Sequence, residues 1–96
     1  MNNLDKQEKA RAVQQRIREI LMREWDPIGV AGIEGAEDEY DDYAAALQVM
    51  LASRTVMQEE IEGYLVGVAT GYMGLTSSAE LLQSCHRTAI ALFARR

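Results

Sequence analysis

Six carboxylates fall within nine residues of this chain: Glu34, Glu37, Asp38, Glu39, Asp41 and Asp42, inside the stretch "EWDPIGVAGIEGAEDEYDDY" at 24–43. Oxygen ligands in that number would suit a hard cation such as calcium or magnesium. The run lacks the ligand order and closing bidentate glutamate of a helix–loop–helix calcium loop. A plainer reading is a helix start, where carboxylates cap the chain and favour the positive end of the dipole, worth ~0.3–1 kcal/mol each. One or two acids serve that purpose, and six repel one another. The surplus suits a third role, a docking surface for a basic protein partner, with Glu37, Asp38, Asp41 and Asp42 as the charged contacts and salt-sensitive association as the signature. Tyr40 and Tyr43 interleave with the acids but fall on an apolar stripe, which places them in the core.

Two further groups invite chemistry. Cys85 and His86 are the only cysteine and histidine and are adjacent. Neighbours on a helix point about 100° apart, so they do not form a nucleophile and base pair. Cys85 reads as a small core residue. Gly63, Gly67 and Gly71 recur every fourth residue, each costing ~0.8–1.0 kcal/mol against alanine in a helix. Close packing against a neighbouring helix would offset that cost. A groove for a ligand or partner helix, or a self-association face, would do so too. No phosphate loop, paired-histidine zinc spacing or nucleophile elbow is present, and neither cofactor nor metal ligand set is expected.

These residues must be positioned by helices. A first stripe of Ala10, Val13, Ile17, Ile20, Leu21 and Trp25 predicts a helix over 5–25, with Asp5 and Glu8 at its start. It ends at "WDP", because the residue before a proline is pushed out of the α region. "DPIG" then fits a type I turn, with Asp26 first, Pro27 second and Gly29 fourth. Tyr40, Tyr43, Ala44, Leu47, Met50 and Leu51 predict a second helix over 38–53. Met57, Ile61, Leu65, Val68 and Tyr72 predict a third over 56–73. Gly74 is suited to the left-handed cap, with Leu75 as its hydrophobic contact. Ser77 and Glu80 read as a capping box opening a fourth helix over 78–94, with Leu82, Cys85, Ala89, Leu92 and Phe93 inward and Arg95 and Arg96 at the negative end of the dipole. No alternating strand pattern is found. The expected fold is all-α: four helices in a single small domain, bundle-like or orthogonally packed.

Ninety-six residues allow one core, burying roughly 60 to 65% of the unfolded surface. Net charge is +2 over residues 1–25, −9 over 26–62 and +2 over 63–96. A nucleic-acid binder would show a basic face instead, so that class is set aside. The longest apolar stretches fall short of the ~20 residues that span a bilayer. The amino terminus has no apolar core after a basic start, so a cytoplasmic protein without membrane association is expected.

"REWDPIGV", "EDEYDDY" and "YMGL", in that order and spacing, resemble the YugE-like family of small bacterial all-helical proteins of unknown function. The resemblance covers roughly residues 15–75, implies a small cytoplasmic helical domain and brings no activity or catalytic residue. The glycine-rich third helix departs from it. The residues together point to a protein-binding module with an acidic contact surface, for which an inhibitor or immunity protein covering a basic nuclease site is one specific form. Two alternatives stand beside it: a small carboxylate-based metal-dependent or small-molecule enzyme built in the bundle, and a self-associating structural protein, such as a homodimer through the glycine strip.

Overall fold

The apolar stripes read above coil into four helices, α1 (Asn3–Ile20), α2 (Asp41–Ala52), α3 (Gln58–Gly67) and α4 (Ala79–Ala94). The structure, a computed structural model, describes residues 3–95; the expected role of Arg96 lies outside the described residues. No strand occurs among them. Two helices run on past their α-helical bounds through a single π turn, α1 through Leu21–Trp25 and α3 through Val68–Tyr72. Each widened turn closes with a bond five residues back, Asp26 N to Leu21 O (2.9 Å) and Met73 N to Val68 O (2.8 Å).

The helices pack as α1 on α2 and α3 on α4, with α4 also lying against the π turn that ends α1. The Cα envelope is 46 × 35 × 20 Å, about two helix diameters deep. Their buried faces meet in one cluster: Ile17, Ile20, Leu21 and Trp25; Tyr40, Ala44 and Leu47; Val56, Ile61, Leu65, Val68 and Ala69; Cys85, Ala89 and Leu92. The one buried polar residue among those described, Thr88, donates its hydroxyl to Ser84 O at 2.6 Å and so costs the core little.

Stop and start signals act nearly as read. Gly74 takes φ +71° and Leu75 N donates to Ala69 O at 2.9 Å, a glycine helix cap whose closure reaches six residues back, one more than usual, as it follows a π turn. At α4 the cap is Ser78, whose hydroxyl accepts from Leu81 N at 3.1 Å, one residue later than the box expected at Ser77. Four residues of the expected stripes do not face inward, the first being Ala10, which is exposed on α1. Met57 and Leu82 are exposed, and Tyr72 is 84% exposed. Met57 precedes α3 as its cap, and Tyr72 ends a π turn, whose extra residue rotates the stripe out of register.

Candidate functional site

The acidic segment is carried on a ladder of turns. Gly29 N donates to Asp26 O at 3.1 Å, closing the turn expected at "DPIG". Ile33 N then bonds Val30 O (3.1 Å), Ala36 N bonds Ile33 O (3.2 Å), Glu39 N bonds Ala36 O (3.2 Å) and Asp41 N bonds Asp38 O (3.1 Å). Gly32 and Gly35 sit third in two of these turns at φ +81° and +89°, the positive values that a type II turn demands there. The signal was in plain sight, a glycine at 29, 32 and 35, but a three-residue period belongs to neither helix nor strand.

Asp26 holds the ladder in place. Asp26 itself is left-handed, at φ +34°, where the proline rule predicts an extended residue. Its carboxylate accepts from Val30 N (2.7 Å), Ala31 N (3.0 Å) and the Tyr40 hydroxyl (2.8 Å). The same hydroxyl accepts from Ile28 N at 3.4 Å, so one buried phenol ties both ends of the loop. Burial alone would raise the Asp26 carboxyl, but the bonds from Tyr40 and from the Val30 and Ala31 amides outweigh it and hold the group below its ordinary range. Burial, and then the Asp26 carboxylate, push the Tyr40 hydroxyl well above its ordinary value. The Tyr40 ring packs on Trp25 with centroids 5.3 Å apart. Tyr43 meets Trp25 edge-on at 6.0 Å and Tyr72 at 6.4 Å. Both interleaved tyrosines thus pack into or against the core, Tyr40 fully and Tyr43 in part.

This geometry corrects the expected helix start at residue 38. Tyr40 must reach back to Asp26, so α2 begins only at Asp41. Asp38 and Glu39 therefore join Glu34 and Glu37 outside the helix, and capping does not account for them. Nor is Asp41 a free docking residue: its carboxylate meets Arg18, with Oδ1 2.7 Å from Nε and Oδ2 2.9 Å from Nη2. Asp42 stays exposed in the first turn of α2. Among the described residues, none of Glu34, Glu37, Asp38, Glu39 and Asp42 is paired with a cation. No group of three or more His, Cys, Asp or Glu converges into a cation site among them either.

Between the ladder and α1 lies a cleft of about 720 Å³. Met22, Val30 and Ile33 supply apolar surface, and Glu19, Glu34 and Glu37 line it as acids. Arg18 and Arg23 line it too, but Asp41 and Glu24 already neutralise them, the latter at 3.2 Å from Arg23. What the cleft offers an occupant is apolar surface among uncompensated carboxylates.

The remaining candidates separate. Close packing within the chain does not explain the glycine strip: Gly63, Gly67 and Gly71 all face outward, and a Cβ at any of them would meet no heavy atom within 4 Å. The apolar side chains of α3 lie on the opposite stripe, at Ile61 and Leu65. Cys85 is fully buried, which raises its thiol pKa. His86 turns outward, with Nδ1 2.7 Å from Glu62 Oε1, so the two side chains share no site. No described helix is long and apolar enough to cross a membrane. Compared with known proteins, the chain matches no family model, no curated protein and no solved structure.

Proposed function

We propose that this chain is a cytoplasmic protein-binding module that docks a basic partner against its turn ladder. One observation carries the reading: a loop tied down by Asp26 and Tyr40 holds Glu34, Glu37, Asp38 and Glu39 outside any helix and, among the described residues, without an ion pair. Uncompensated carboxylates on a braced loop repel one another, and a partner's lysines and arginines relieve that cost on binding. Exposed Ile28 and Ile33 on the same loop offer apolar area that such a contact would bury. The likeness to the YugE-like proteins belongs to this proposal and adds no activity to it. A carboxylate-based enzyme finds less support, because its acids would have to converge from two or more helices, and here they follow one loop.

The test is capture from a lysate of the producing cells, followed by titration of the purified partner at rising salt. The native chain is compared with a variant carrying Glu37→Gln, Asp38→Asn and Asp42→Asn, with Asp41 left in place because it holds Arg18. The expected result is a basic partner whose affinity falls with salt and drops at least about tenfold in the variant, the loss of one 1.4 kcal/mol increment. Equal binding by both forms refutes the reading.

The glycine strip supports a second reading, self-association. Its helix cost has no return inside the chain, and a second copy packing on the bare face would supply one. Mass measured across concentration tests it: a constant monomer rules it out.

A further inference from the structure

A second recess, of about 370 Å³, is lined by the second half of α1, the end of α4 and the end of α2. Its floor is core: Ile17, Ile20 and Leu92 are buried yet line it. Its rim is basic and amide. Arg16 from α1 and Arg95 just past α4 both line it, with Gln48 from α2. Gln48 is fixed there by a bond from its Nε2 to Ala10 O at 3.0 Å.

Three features together select an occupant. The size lies in the small-ligand range of ~300–1,000 Å³ rather than that of a protein interface. The floor is hydrocarbon, so the occupant brings an apolar body. Among the described residues, no carboxylate lines the recess and neither arginine is ion-paired. In a chain of net charge −5, this is a local reversal of sign, set by two guanidinium groups, one on α1 and one at the cap of α4. Arginine's planar fork matches carboxylate or phosphate oxygens.

We infer that this recess binds a single-chain anionic amphiphile, its acyl tail laid against Val13, Leu51 and Ala52 above the buried Ile17, Ile20 and Leu92 and its head group held between Arg16 and Arg95. The site lies on other residues than the acidic ladder and does not rest on the docking reading.

Calorimetric titration of the full chain tests it, using hexanoate, octanoate and decanoate below their micelle concentrations. Octyl phosphate tests the alternative anionic head, and octylamine the opposite charge. Saturable one-to-one binding is expected, tightening about fourfold per added methylene, for one or both anionic heads, with octylamine at least tenfold weaker. Arg16→Gln with Arg95→Gln, both exposed and so safe for folding, should weaken the anions at least tenfold. Val13→Trp, which fills the recess, should abolish binding while circular dichroism reports an intact helical fold. Absence of saturable binding overturns the inference. So does equal binding of octylamine, or an affinity unchanged in the double arginine variant.

Discussion

The sharpest prediction concerns the hydroxyl of Tyr40. Tyr40→Phe keeps the ring, its burial and its 5.3 Å contact with Trp25, and removes only the oxygen that bonds Asp26 at 2.8 Å and Ile28 N at 3.4 Å. A hydrogen bond to a charged group is worth about 1.5–3 kcal/mol; the longer Ile28 contact adds little. A loss of about 2 kcal/mol cuts the folded-to-unfolded ratio up to about thirtyfold and lowers the melting temperature by about 8–16 °C in a domain of this size. Urea denaturation at neutral pH measures it, with Asp26→Asn as the second arm, since asparagine tolerates the left-handed backbone at that position. Asparagine keeps an oxygen that can accept from Tyr40 but loses the charge and the acceptor for Ala31 N. The Asp26→Asn arm therefore removes the charge-assisted part of the Tyr40 bond, and the double variant should lose at least about 0.5 kcal/mol less than the singles summed. A Tyr40→Phe loss below about 0.5 kcal/mol, or strict additivity, refutes the claim that this bond ties the ladder.

Three other outcomes follow from the same geometry. Gly67→Ala should stabilise the chain by about 0.8–1.0 kcal/mol, because the added methyl meets nothing, whereas Gly32→Ala at φ +81° should cost about 1–2 kcal/mol; thermal melts compare the two directly. Arg18→Gln should cost about 0.2–1 kcal/mol, less at high salt, because its pair with Asp41 is about one-third exposed on each side. The Asp26 carboxyl titrates lower in the folded chain than its unfolded value of 3.8, so it contributes stability above pH 3.8 that is lost as pH falls further, through the folded value. Acid unfolding followed by circular dichroism should show this dependence reduced in Asp26→Asn.

The helices were legible because each carries its instruction locally. The stripes from Ile17 to Trp25, at Ile61 and Leu65, and at Cys85, Ala89 and Leu92 are periodic in sequence and buried in the fold. Gly74 and the "DPIG" turn were equally local, needing only φ preferences within four or five residues. What the chain alone determined is therefore its all-helical class, its helix order and where its negative charge collects.

The tertiary structure decided what that charge is attached to. Asp26 and Tyr40 are fourteen residues apart, and no periodicity links them, yet with Tyr40 turned back to Asp26 α2 starts at Asp41, which adds Asp38 and Glu39 to the acids outside the helix. Arg18 and Asp41 are twenty-three apart, and only the packing of α1 on α2 takes Asp41 out of the docking set. The glycine strip follows the same logic. Spacing places Gly63, Gly67 and Gly71 on one face, but only the placement of α4 and the core decides that this face looks outward. Local propensity acts through bonds within a turn or two; partners across the fold are chosen by which buried polar groups must be satisfied once the helices have packed.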